Sequence, residues 1–244
     1  MSDLDNFMFD LSSVYFETSL QKSITSLPGA ALSKHLLNSR YSIEGAVDLH
    51  RKLEQACRKL CLMWQAADWA LDAEQEFYCA TSHDSPGLFG HEAVVVHYHL
   101  EAFVLFARSA LDLSANVYGA LLPPPFQRRR YDSFNKLVKE VTRIQNTPLR
   151  DYFCKLRQDS TSWVSVVSGS ERGRSLRDRI SHQTEFPLDY IELRPDSEKE
   201  FAVVRVNSCE PVPLPHFISS VRDGVIDGFN RFESECVSST CTSA

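Results

Sequence analysis

The sequence predicts a mainly α-helical protein, a bundle of four or five helices carrying a small β-hairpin and a final packed helix. Three observations predict it. Apolar residues recur at near-helical spacing from Ser42 to about Cys79. The stretch from His91 to Gly119 is apolar on almost every side, as expected of a buried central helix. Strand-like runs appear only after Pro187. The chain has 244 residues, 43% hydrophobic and 24% charged, which suits one large or two small globular domains and excludes disorder and collagen-like repeats.

Each element has a local reason. Residues 1–40 are mixed, with Pro28 and Gly29 interrupting any long helix. Ser42 can cap the first long helix, whose apolar positions include Val47, Leu53, Leu60, Met63, Trp64, Ala67 and Leu71. Asp84, Ser85, Pro86 and Gly87 mark a loop. On the second helix, His97, Glu101, Arg108, Asp112 and Asn116 form a polar stripe. It reads first as a solvent seam with an i,i+4 pair at Arg108 and Asp112, and otherwise as a polar cleft or dimer seam. Pro123, Pro124 and Pro125 end this region. Asp132 or Ser133 then caps a helix to about Gln145, and Thr147-Pro148 opens another. Ser168-Gly169-Ser170 breaks the chain before a helix from Glu171 to about Thr184. Leu188–Arg194 and Phe201–Val206 read as a hairpin around Pro195-Asp196-Ser197-Glu198. The last helix is expected over about His216–Val237, with a frayed tail behind it.

The net charge of −6 hides a division along the chain. Residues 1–125 hold 8 Lys or Arg against 15 Asp or Glu, residues 126–182 hold 13 against 6, and residues 183–244 hold 5 against 11. A basic stretch between two acidic ones is the electrostatic footprint expected where phosphates bind. It is equally what a solvated face paired with distant carboxylates would give. The seven cysteines are odd in number, scattered and without a Cys-x-x-Cys, so they read as reduced thiols of a cytoplasmic protein, several of them core filler. Charges interrupt every long apolar run and Asp3, Asp5 and Asp10 open the chain, so neither a membrane span nor a secretory leader is expected.

Much familiar chemistry is missing. No Gly-x-Gly occurs, and no Gly-x4-Gly-Lys, so the dinucleotide and nucleotide-phosphate loops are absent. Gly169-Ser-Glu-Arg-Gly173 puts its serine one place too early for a nucleophile elbow. His91-Glu92 is followed by His97 rather than by a histidine at plus four, so the zinc-protease spacing fails. No glutamate is followed by histidine three residues later, as a di-iron bundle would require. No cofactor or metal is therefore expected.

One stretch carries chemistry: Arg174-Ser-Leu-Arg177-Asp178-Arg179-Ile-Ser-His182, on the helix predicted inside the basic region. Leu176 and Ile180, four apart, would anchor one side of it. An Arg, a polar residue, three more residues and a His on the last bundle helix resembles the HEPN superfamily. The long apolar second helix with Ala107-Arg-Ser-Ala-Leu-Asp-Leu113 is similar to members of that family as well. The resemblance spans roughly residues 41–186. It implies an up-and-down HEPN-like bundle, preceded by the 1–40 segment packed on or capping it. Residues 187–244 add the hairpin and last helix, in one continuous domain. It also implies a metal-independent endoribonuclease acting as a homodimer, often a toxin or antiviral defence effector, with an antitoxin or defence-system protein as a further partner.

The residues suit that chemistry. RNA carries its own nucleophile in the 2′-OH, so the protein needs a proton-transfer group and a stabiliser of phosphorane charge. His182 can do the first and Arg177 the second. Asp178, four residues before His182, can orient the imidazole. Arg172, Arg174, Arg179, Arg128, Arg129 and Arg130 would steer the RNA backbone. On a helix, positions 177 and 182 lie about 140° and 7.5 Å apart, which favours two copies pooling their groups in one cleft. Each residue also has a plainer reading. Arg177 reads equally as a surface charge with Asp178 or Glu171 nearby, Asp178 as the partner of Arg174, and His182 as a group at a helix C-terminus. Tyr131, Phe134 and Tyr152 are candidates to stack on bases or simply to fill the core. Three functional classes follow: a nuclease, a non-catalytic module binding RNA or a nucleotide and regulating a partner, and a helical scaffold or interaction protein.

Overall fold

The structure, a computed structural model, describes residues 43–81, 91–122, 131–143, 147–169, 175–176, 180, 187–190, 202–205 and 210–241. These form a mainly helical fold with one small antiparallel sheet. Helix α1 runs Ile43–Thr81 and α2 runs His91–Leu121. Lys59 meets Phe106 and Trp69 meets His99, so the two are antiparallel. Their facing sides supply Leu53, Leu60 and Met63 from α1 and Leu100, Phe103 and Val104 from α2, all fully buried. By length and composition, the segment Ala93–Leu121 is also apolar enough to cross a membrane, which the reading of interrupting charges had not anticipated. In this fold its inner side packs on α1. Burial is not complete on every side, however, since Val94 and Tyr98 lie open. Val47, counted among the periodic positions of α1, is exposed as well.

Three shorter helices follow: α3 (Phe134–Val141), α4 (Pro148–Gln158) and α5 (Trp163–Ser168). Each starts on a hydroxyl that accepts a backbone N–H: Ser133 from Lys136, Thr147 from Arg150 and Ser162 from Ser165. Thr147 followed by Pro148 was legible in advance, and so was Ser133. Helix α5 was not, because six residues are too few to show a period.

Strands β1 (Leu188–Tyr190), β2 (Ala202–Val204) and β3 (Val212–Pro213) form a sheet in that order. Leu188 pairs with Val204 and Tyr190 with Ala202, the antiparallel pairing expected of the predicted hairpin, whose turn at Pro195-Asp196-Ser197-Glu198 lies outside the described residues. The third strand is an addition. It sits at an edge, where Pro213, lacking an N–H, costs the sheet least. Pro213 leads straight into α6 (Leu214–Cys241).

Helix α6 closes the bundle. Its Arg222 lies over the Trp64 ring of α1 at 4.9 Å, and its Glu233 approaches Cys57, so it runs antiparallel to α1. Phe232 stacks on Tyr118 of α2 at 4.8 Å and packs against Phe134 and Phe153. Trp163 completes this aromatic cluster. The core is thus continuous from α1 to α6, across the expected boundary at residues 186–187.

Candidate nucleic-acid interface

Three described residues place the candidate stretch. Ser175 is 1% exposed and Leu176 3%, and Leu176 belongs to the core. Ile180 is half-buried and packs against that core. Leu176 and Ile180 both have helical backbone. Both therefore hold the chain to the bundle at these two positions. Arg172, Arg174, Arg177, Asp178, Arg179 and His182 lie outside the described residues, as do Arg128, Arg129 and Arg130.

The chain enters this region through Gly169, the C-cap of α5, at φ 87°. A side chain there would be strained, which explains the glycine in the predicted break. Its N–H still bonds to the Ser165 carbonyl.

The described part of the basic stretch lies on α3, α4 and the turns beside them. Lys136 pairs with Asp132 at 2.7 Å, Arg143 with Glu140 at 2.8 Å and Arg150 with Asp151 at 3.0 Å. Local carboxylates therefore meet half of its six described cations, whereas the plainer electrostatic reading expects distant ones. Such pairs at the surface are weak and screened by solvent, so a phosphate can displace them. Lys139 and Lys155 are exposed and make no ion pair among the described residues.

Two of the three candidate stacking aromatics are core. Phe134 is fully buried and Tyr131 nearly so. The third, Tyr152, belongs to a network that sequence reading missed. The Trp163 indole N–H donates to the Tyr152 hydroxyl at 3.3 Å. Arg231 lies over the Tyr152 ring at 4.1 Å and donates to Asp227 at 2.9 Å. Burial first, and then its hydrogen bond to the Asp227 carboxylate, push the Tyr152 phenol up to about 12 against the lowering effect of Trp163 and Arg231. It is a neutral donor at any physiological pH. The i,i+4 spacing of Asp227 and Arg231 was the available signal. Beside them a groove of about 350 Å³ opens between the start of α4 and α6, lined by Pro148, Leu149, Asn230 and Glu235 among others.

The polar stripe of α2 splits in two. Arg108 donates to Asp112 at 2.9 Å, and the other Asp112 oxygen accepts the Phe134 N–H at 2.7 Å. Asn116 reaches the Asp112 carbonyl at 3.5 Å. This half is a clamp that fixes the start of α3. His97 and Glu101 are half-exposed further toward the loop, and burial raises the Glu101 carboxyl above its usual range. Among the described residues no group of three His, Cys, Asp or Glu side chains is placed to hold a metal ion.

No family model, no curated protein and no solved structure matches this chain.

Proposed function

We propose that the protein is a metal-independent endoribonuclease of the HEPN type, working as a homodimer. The observation that carries this reading is the seating of Leu176 and Ile180 on the core of a helical bundle. These are the two positions expected to anchor the Arg177-Asp178-x3-His182 stretch. On helical spacing, positions 174, 178 and 182 fall on the side away from those anchors. The exposed lysines 139 and 155 add positive surface from α3 and α4 to the same stretch of sequence.

In this mechanism His182 transfers the proton of the attacking 2′-OH, or returns one to the leaving 5′-oxygen. Arg177 holds the phosphate oxygens as charge builds on them. Asp178 keeps the imidazole in its working tautomer. A second subunit supplies the matching pair, since one helix does not aim both groups at one phosphate. The biological role we assign is that of a toxin or antiviral effector in the cytoplasm, restrained by a partner protein.

The test is RNA cleavage in EDTA by the full chain. His182→Ala should lower the rate by about 10²–10⁴, and the wild-type products should carry 2′,3′-cyclic phosphate ends. Equal cleavage by wild type and variant would exclude the assignment. Salt-sensitive RNA binding without any product would instead select the non-catalytic module.

A further inference from the structure

The α1–α2 hairpin carries a surface that the nuclease reading does not use. From residue 60 to residue 107 the chain contains no Lys or Arg, yet it holds Asp68, Asp72, Glu74, Glu76, Asp84, Glu92 and Glu101. On the outer side of this region, Trp69 is 51% exposed and Tyr98 67%. His99 sits between them, its ring 5.4 Å from that of Trp69 and 5.3 Å from that of Tyr98. The three rings make a row across both helices. Leu62, one heptad before Trp69, and Val94, one turn before Tyr98, extend it and are open too. Such a cluster of exposed apolar side chains usually marks an interaction site.

Charge identifies the occupant. Asp72 and Glu76 are exposed on α1, three and seven residues beyond Trp69. Asp68 is different, because Arg222 of α6 already faces it. Partial burial lowers the pKa of His99, so its ring is neutral and adds no positive charge to the row. Indole and phenol faces attract ammonium and guanidinium groups. Among the described residues, the cations at the margins of this surface are already engaged, Lys59 with the Phe106 ring and Arg222 with Trp64 and Asp68, so its aromatic faces and open carboxylates select a cationic ligand with apolar anchors. From Val94 to Phe106, the residue level with Lys59, α2 rises about 18 Å, the length of about 12 residues of helix. Two antiparallel helices offer a groove in which a third can lie.

We propose that the Trp69–His99–Tyr98 row is the docking surface for a basic amphipathic helix of a partner polypeptide. Its Lys or Arg side chains lie over the two exposed rings and reach Asp72 and Glu76, and its apolar side chains meet Leu62 and Val94. The proposal is independent of the nuclease reading.

The experiment titrates the full chain with an 18-residue helical peptide of Leu and Lys, using the same peptide with Glu for Lys as control. At low salt the Lys peptide should bind and the Glu peptide should not. Trp69→Ala, Tyr98→Ala and the pair Asp72→Asn with Glu76→Gln should each weaken binding at least tenfold. Asp151→Asn, on exposed α4 surface, should leave it unchanged. All these positions are exposed, and unchanged thermal unfolding confirms that the variants are folded. Binding that survives Trp69→Ala and Tyr98→Ala, or that falls equally with Asp151→Asn, overturns the proposal. So does absence of peptide binding. A homodimer that dissociates on Trp69→Ala overturns it too, by assigning the row to a second copy.

Discussion

Glu74 shows how much one side chain can decide. It is a buried carboxylate on α1 that accepts the Ala202 N–H at 2.6 Å, fastening the sheet to the longest helix. Burial raises its pKa above the ordinary 4.5, and the hydrogen bond offsets only part of that rise. The folded state therefore holds this proton more tightly than the unfolded chain. The stability linked to it is complete below pH 4.5 and declines as pH rises through the raised value. Glu101 and Asp68, also raised by burial, act in the same direction. Glu74→Gln keeps an acceptor for Ala202 and removes the charge. Thermal unfolding of that variant should lose part of the decline that wild type shows above pH 4.5. Two superimposable stability–pH curves would contradict this account. Nothing in the sequence distinguished Glu74 from Glu76, because its partner lies 128 residues away.

At the scale of elements, α5 and α6 meet through a space cut to fit an indole. A methyl group at Gly224 would lie 2.2 Å from Cδ1 of Trp163, and one at Gly228 would lie 2.8 Å from its outer ring. Trp163 cannot retreat, since it is buried among Phe134 and Phe153 and bonded to Tyr152. In an open helix Gly→Ala gains about 1 kcal/mol. Here overpacking costs about 1–3 kcal/mol or more, and the clash wins. Gly224→Ala should destabilise the protein in chemical denaturation. In a Trp163→Ala background the same change should be neutral or stabilising, and a loss of equal size in both backgrounds would remove the steric explanation. Periodicity made the long helices legible, because fifteen or more residues average out local exceptions. The hydroxyl caps were legible because a cap is a contact within four residues. The short α5, the two-residue β3 and the Trp163 slot were not, since each depends on surfaces brought from elsewhere in the chain. The candidate stretch was legible in its anchors, Leu176 and Ile180. The local pairing of its cations with Asp132, Glu140 and Asp151 went unread, because the sequence reading looked to distant carboxylates.

For the whole molecule, the governing fact is a core that runs continuously through the described residues from α1 to α6. Two of its members are thiols, Cys57 and Cys236, and a third thiol, Cys61, is buried as well. Burial is the largest cause of the rise in their pKa, with Cys57 pushed up to about 12. Two conditions for attack by an electrophile, access and a thiolate, are therefore withheld at once. Cys79 is exposed and should label first. The sealed three acquire a label only when the bundle opens. Followed by mass spectrometry, their modification should proceed together and quicken as denaturant is added, while Cys79 is already complete. Prompt alkylation of all of them in native buffer would be inconsistent with this packing. These sulfurs are a built-in clock: without a dye, a tag or a substitution, the chain records how often its interior meets water.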